Sequence, residues 1–476
     1  MKFAVVGGGW AGMAAADALA RAGHNVTVFE LAQQLGGRAR GIQDPVLGCI
    51  DNGQHLLIGA YTRTLALIDH AHQGIRERTH TRDHSNIGTN QRKESVQPVS
   101  RQPLSLCSAD GSVHLKMPSW IPGSLGRLVA LARARGLSVS ERWQAVRLLS
   151  SLRLGYALPH ERQTVSQWLA QHGQSEQLQS ALWIPLCLAT MNTPIESASA
   201  QLFARVIKDS LLSPDPGATD LIIPNCDLTR LWIDAVAARV EVIHGTHVEQ
   251  INPCPSARGG SVEVAARLFD GCIIATPPSG TLRIVQNWLN ESPGAPLAQS
   301  LLETLAAFDF LPITTCYMEL TSPLSLPYPM LMLRSGHRRS HDFSAGPGQW
   351  VFNRNPLDAN PEIPARLAFV ISHAGKENVD RDALPESLLQ QLLMELSERA
   401  MTSTHPSLTI RASRIITDKR ATFAATPGLK RPGTHTDWPS IKLAGDWTDT
   451  GYPAVLEGAV MSGITAAHAL MASSRA

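Results

Sequence analysis

The chain lacks the features that would tie it to a membrane span, a nucleic acid or a disulfide framework. No apolar run approaches the ~18 residues that a spanning helix needs. Of its 476 residues only 17% are charged, and the formal net charge is +2, which leaves no electrostatic footprint for nucleic acid. Neither an aromatic and basic interleave nor a zinc-finger spacing makes up for that shortage. The seven cysteines (Cys49, Cys107, Cys187, Cys226, Cys254, Cys272 and Cys316) are odd in number, far apart and without a C-x-x-C pair. They support neither disulfides nor a zinc site and read as reduced thiols of a cytoplasmic protein. No acidic or cysteine partner converges in sequence on His70, His72, His80 and His84, so these read as solvated loop histidines, and no metal is expected. With 43% hydrophobic residues the chain is globular, and its length calls for two domains.

What is present begins at the first residues. Lys2-Phe-Ala-Val-Val-Gly7-Gly8-Gly9-Trp10-Ala11-Gly12 is an apolar run entering a G-x-G-x-x-G turn. An alanine-rich stretch follows from Met13 to Ala22, and Asn25-Val-Thr-Val-Phe-Glu30 ends on an acid. Gly7 permits the tight turn, Gly9 lets backbone N–H groups approach a pyrophosphate, and Gly12 lets the helix pack on the strand. Glu30 suits ribose hydroxyls and would repel a 2′-phosphate, so the site belongs to NAD or FAD rather than NADP. Gly7, Gly9, Trp10, Ala11, Gly12 and Glu30 are cofactor-binding candidates. The same residues read as a first strand and not as a signal segment.

Later anchors separate the two cofactors. Gly36-Gly37-Arg38-Ala39-Arg40 resembles the second signature of two-dinucleotide-binding flavoproteins, where an arginine serves the anionic oxygens of the FAD pyrophosphate. Ile441-Lys-Leu-Ala-Gly445-Asp446 is an apolar run ending in Gly-Asp. In the resembled families the aspartate bonds the FAD ribityl chain, while the next helix, Ala454 to Met471, points its N-terminus toward the flavin, with Ala454 and Val455 at the cofactor. Asp270-Gly-Cys-Ile-Ile-Ala275-Thr-Pro resembles the strand that such proteins set against the first βαβ unit, with Val248 on an earlier segment. Anchors spaced across the whole chain fit FAD and not NAD.

Together these motifs resemble the flavin-containing amine oxidase and phytoene desaturase superfamily. Within it, Asp51-Asn-Gly-Gln54-His55-Leu, Ala189-Thr-Met191-Asn192-Thr193-Pro194, Lys419-Arg-Ala-Thr-Phe423 and Gly445-Asp446-Trp447-Thr-Asp449-Thr-Gly-Tyr452-Pro resemble the hydroxysqualene dehydroxylases of bacterial hopanoid synthesis. The resemblance implies an α/β protein. Its Rossmann-like FAD-binding domain would be built from residues 1–62, 220–282 and 410–476, with an interleaved α+β substrate and membrane-facing domain from residues 63–219 and 283–409.

The implied reaction is reductive: hydroxysqualene loses its hydroxyl, takes up hydride and becomes squalene, an apolar C30 isoprenoid. An unidentified electron donor would reduce FAD. Hydroxide leaves poorly, so an acid must protonate it, and His55, Asp449 and Tyr452 are candidates for that role or for a backbone-bonded supporting one. Gln54 is expected at the cofactor, and Met191, Asn192, Thr193, Phe423 and Trp447 at the substrate pocket. A carotenoid or polyprenyl desaturase would share these features and run the flavin in the oxidative direction. An amine oxidase would call on Lys419 or Lys442, and an escort-type prenyl-binding protein would keep the fold without FAD.

Three segments carry further expectations. Arg76 to Arg101 is polar and without periodicity, and reads as a mobile surface loop. From Ser124 to Leu154, Leu128, Leu131, Leu148 and Leu152 fall on apolar faces, with Arg127, Arg133, Arg135, Arg142, Arg147 and Arg153 among the polar positions. That stretch is either a peripheral contact with the inner face of a membrane or an ordinary surface hairpin. The Asn192-Thr193-Pro194 break is either a pocket wall or a plain helix–helix turn.

Overall fold

A computed structural model describes residues 1–82, 98–117, 121, 123–254, 260–291, 296–334, 346–355, 360, 362–373, 380–400 and 408–474. Its first sheet holds five parallel strands in the order Glu241–Ile243, Asn25–Phe29, Lys2–Val6, Gly271–Ile274 and Ile441–Leu443. The central strands are almost uniformly apolar, as a sheet covered on both faces requires. Alternate side chains go to different cores. Phe3, Val5, Val26, Val28 and Ile273 pack with the alanine-rich helices Trp10–Arg21 and Leu456–Ser473. Ala4, Val6, Phe29 and Ile274 share a second core with Ile251, Val262, Val264 and Phe269 of a small antiparallel sheet.

The other large sheet is antiparallel, in the order Met330–Met332, Trp350–Asn353, Arg366–Ser372, Phe310–Leu320 and Ile410–Phe423. Ile410–Phe423 therefore does not join the nucleotide sheet, although the expected FAD-binding piece began at residue 410. Its Ile-Arg-Ala-Ser alternation suits a half-exposed antiparallel strand and not a slot buried on both faces.

The stretch from Arg76 to Arg101 is also different from the loop expected. Helix Thr62–Arg82 runs through Arg76, Val99–Gln102 is a strand paired with Leu221–Pro224, and residues 83–97 lie outside the described residues. The helix is held at its start, where the buried Glu457 carboxylate accepts from Arg63 N and Thr64 N at 2.9 Å. Such an acid satisfies orphan amides and complements the helix dipole, a contact between residues far apart in sequence. His70 is exposed on this helix, and the His72 ring nitrogen Nε2 lies 2.8 Å from the Leu231 carbonyl. His84 lies outside the described residues, among which no metal-binding cluster occurs.

Helices Gly123–Ala132 and Val139–Arg153 pack together as a hairpin, the second opened by a Ser138/Glu141 capping box. Arg127 departs from the expected polar face. It is buried, donating to the Ser213 carbonyl at 2.7 Å and to Thr219 Oγ1 at 3.2 Å. Among the described residues no helix is long and apolar enough to cross a membrane.

Glu395, on helix Leu384–Ala400, makes one consequence measurable. Its Oε1 accepts from Arg334 N at 2.9 Å, while its buried Oε2 has no partner. Burial pushes this carboxyl up to about 7 from the ordinary 4.5. The folded state therefore holds a proton that the unfolded state releases. The resulting stability, about 3 kcal/mol, is complete below pH 4.5 and lost as pH rises through 7. Glu395→Gln is expected to flatten the melting temperature between pH 5 and pH 8, measured by calorimetry, where the parent's falls.

Candidate functional site

The glycine turn packs tightly except where a ligand would enter. Gly7 has φ +107°, and a Cβ on Gly12 would lie 1.9 Å from the Gly7 carbonyl oxygen, so neither position accepts a side chain. Gly9 is different: a Cβ there would meet nothing nearer than Gly37 Cα at 3.9 Å. The helix that begins at Trp10 has no side-chain cap and no acid in its first turn. Amides of this kind complement an anionic pyrophosphate. Ala11 lies buried in that first turn, whereas the Trp10 indole turns inward, donating to the Ala39 carbonyl at 2.8 Å and meeting Trp232 edge-on. Only the Trp10 backbone faces the turn.

The other expected anchors converge on this point. Glu30 Oε2 accepts from Gly8 N at 2.6 Å and Oε1 from Ala32 N at 2.8 Å, which fixes the carboxylate beside the turn. Gly36 N donates to the Gly8 carbonyl at 2.8 Å, laying the second glycine pair along the first. Ala275 N donates to the Val6 carbonyl at 2.8 Å, beneath Gly7. Arg38 donates to Asp446 Oδ2 and to the Ala421 carbonyl, each at 2.6 Å. The two charged anchors thus hold each other, and Asp446 keeps the Arg38 guanidinium fully charged against the cost of burial. Gly445 N donates to Ser462 Oγ at 2.8 Å, tying the strand end to the last helix. That helix starts at Leu456, with Val455 as its N-cap and Ala454 just before it, while Val248 is buried between two strands.

Gln54 N donates to Thr315 Oγ1 at 3.1 Å, and its buried Oε1 has no partner. The open Gly9, the uncapped helix and this unpartnered oxygen are what FAD would occupy, and the residues fit it. Thr315 and the Ala421 carbonyl were not among the sequence candidates. Both are supplied by the second sheet; Ala421 falls within the motif of residues 419–423 without its carbonyl being singled out, and nothing local in sequence marks Thr315.

Each of the three proton-donor candidates has another partner. His55 Nδ1 lies 2.9 Å from the Gly53 carbonyl, so Nδ1 carries the hydrogen and Nε2 of the neutral ring is left as an acceptor. Burial, with help from Arg38, lowers its pKa and favours that neutral form. The Tyr452 hydroxyl donates to Asp209, beneath an Arg205 guanidinium 4.9 Å from the ring centroid. The exposed Asp449 pairs with Arg431 at 3.4 Å on the rim of a groove of about 490 Å³. Tyr452→Phe is expected to keep turnover within a few-fold of the parent, whereas loss of a true acid would cost ~10² to 10⁴-fold. Stopped-flow turnover with reduced enzyme separates the two.

The expected pocket residues are structural in their contacts. Asn192, at φ 50°, closes helix Ile184–Met191 and donates to Thr422 Oγ1 at 2.9 Å, while its Oδ1 accepts from His373 N at 2.8 Å. Thr193 Oγ1 donates to the Met191 carbonyl and accepts from Ala425 N at 3.2 Å, and Met191 is buried. The break therefore stitches a helix to the second sheet. Phe423 and Trp447 do form an aromatic cluster with Phe308, at 5.7 and 6.4 Å between ring centroids. Trp447 Nε1 donates to the Thr276 carbonyl at 3.1 Å. Phe423 and Trp447 follow Ala421 and Asp446 closely in the chain, which ties this cluster to the residues that hold Arg38. Lys419 is exposed, and the buried Lys442 Nζ lies 3.3 Å from His435 Nδ1, so neither joins the glycine turns.

A parallel nucleotide sheet with this turn, acid and arginine defines an FAD-dependent oxidoreductase. The chain belongs to the flavin-containing amine oxidoreductase family, whose pattern matches residues 10–471. It is 27% identical to hydroxysqualene dehydroxylase of Rhodopseudomonas palustris over 493 aligned positions, covering 99% of both chains. It is 23% identical to 15-cis-phytoene desaturase of Synechococcus elongatus, over 99% of this chain and 96% of that one. Putrescine oxidase, solved with putrescine bound, shares its fold with a TM-score of 0.66 at 15% identity, over 99% of both chains.

Proposed function

We propose that this oxidoreductase reductively removes the hydroxyl of hydroxysqualene to give squalene. The observation that carries the reading is similarity to a hydroxysqualene dehydroxylase along 99% of both chains. The aromatic cluster of Phe308, Phe423 and Trp447 supports it, since an apolar wall beside the Arg38–Asp446 pair suits a C30 isoprenoid better than a charged amine. FAD, when bound, supplies the hydride chemistry. The chain's own residues anchor it through Gly7, Gly9, Gly12, Glu30, Gly36, Gly37, Arg38 and Asp446. The buried rings keep water from a carbon whose C–O bond is breaking. A cytoplasmic protein meeting an apolar substrate at a membrane face, and reduced there by a separate electron donor, completes the reading.

A desaturase reading draws on the phytoene desaturase relative, at lower identity. Flavin colour distinguishes them. Under anaerobic conditions, hydroxysqualene added to the reduced protein is expected to restore the flavin absorbance near ~450 nm within a turnover. If the absorbance stays bleached with hydroxysqualene while the oxidised protein is bleached by a polyprene, the reaction runs the other way.

A further inference from the structure

We propose that the helical hairpin of residues 123–158 is a docking face for an anionic lipid bilayer, with Trp143, Leu154, Tyr156 and Leu158 entering the interface. Of the twelve large apolar side chains left exposed among the described residues, six lie here: Leu125, Val139, Trp143, Leu154, Tyr156 and Leu158. Trp143 is 68%, Leu154 69% and Tyr156 83% exposed, more than an isolated surface residue explains. Val139, Trp143 and Arg147 share one face of helix Val139–Arg153, and Leu154, its C-cap, continues the same spacing. Arg153 donates to Ser124 Oγ at 2.9 Å, which ties the start of the first helix, where Leu125 lies, to the end of the second, where Leu154 lies. Trp and Tyr with leucines are side chains that settle at the boundary between headgroups and acyl chains.

Charge selects the occupant. Residues 121–160 contain six arginines and one acid, Glu141. Arg127 is buried and Glu141 is used by the capping box, so Arg133, Arg135, Arg147 and Arg153 dominate the exposed rim. Two copies of such a face would set arginines against arginines, whereas anionic headgroups complement it. The face adds a partner to the proposed reaction and stands on the surface alone. The test contains no substrate, so its outcome and the reaction's are independent.

Flotation of the FAD-loaded protein with phosphatidylglycerol-containing vesicles, at low and high salt, tests the assignment. The parent is expected to float at low salt and at least about tenfold less with phosphatidylcholine alone or at high salt. Leu154→Ser/Tyr156→Ser/Leu158→Ser and, separately, Arg133→Gln/Arg147→Gln should each lose at least about tenfold in partitioning while keeping full flavin content. The proposal falls if the parent never floats, or if both variants float as the parent does. It falls equally if the parent is a dimer that the serine variant converts to a monomer without any vesicle binding.

Discussion

Glu30→Arg is expected to strip FAD from the protein while leaving it folded. The carboxylate lies at the end of strand Asn25–Phe29 and is oriented by Gly8 N and Ala32 N, which leaves lone pairs for ribose hydroxyls. Arginine removes the acceptors and sets a cation against amides already pointing at that spot. Loss of two charge-assisted hydrogen bonds, each contributing roughly 1.5–3 kcal/mol, corresponds to at least a hundredfold weaker binding. Flavin content after gel filtration, read from the visible spectrum, measures it. A fully yellow Glu30→Arg protein would contradict the assignment of the first turn.

The second large effect separates two glycines three residues apart. Gly12→Ala would place its Cβ 1.9 Å from the Gly7 carbonyl oxygen, so the turn, and with it the packing of the first helix on the sheet, must move. A clash against backbone inside a core is expected to cost more than about 3 kcal/mol, abolishing flavin binding and lowering the melting temperature of the FAD-free protein sharply. Gly9→Ala has room, with Gly37 Cα at 3.9 Å and an ordinary φ of −75°. Its fold should survive, and only the approach of backbone to the pyrophosphate is lost. Melting curves of the FAD-free proteins, set beside flavin content, distinguish the pair. Equal melting temperatures would show that Gly12 is not the packing contact described.

The nucleotide half was legible in sequence because its signals are local. A turn, the helix after it and an acid some twenty residues on lie within one βαβ unit, and each glycine answers to a steric need of its own neighbours. The Arg38–Asp446 pair was visible only as two separate anchors. Their contact joins residues 408 positions apart, and no single-chain pattern specifies it. The same limit explains Thr315 and Ala421, which the second sheet brings to Gln54 and Arg38.

Where the sequence misled, polar residues had found unseen partners. The Asn192-Thr193-Pro194 break could be read as a pocket wall or as a plain helix–helix turn. In the fold the Asn192 side chain satisfies Thr422 and His373. Arg127 looked like one more arginine of an amphipathic face, yet it serves carbonyls of the segment at residues 213–216. Tyr452 was open to either an acid or a supporting role, and the hydrogen bond it donates to Asp209, on a helix remote in sequence, fits the supporting one. The apolar side of the hairpin was understated for the opposite reason. Leu128, Leu131, Leu148 and Leu152 carry the periodic signal, whereas the exposure of Trp143, Leu154 and Tyr156 shows only on the folded surface.

The central claim is the direction and substrate of the reaction, and product analysis tests it most directly. Purified protein, anaerobic, with chemically reduced flavin and hydroxysqualene, should yield squalene in an amount equal to the flavin reoxidised, identified by mass spectrometry. No squalene, together with oxygen uptake and new double bonds in a polyprenyl chain when air is admitted, would contradict the account.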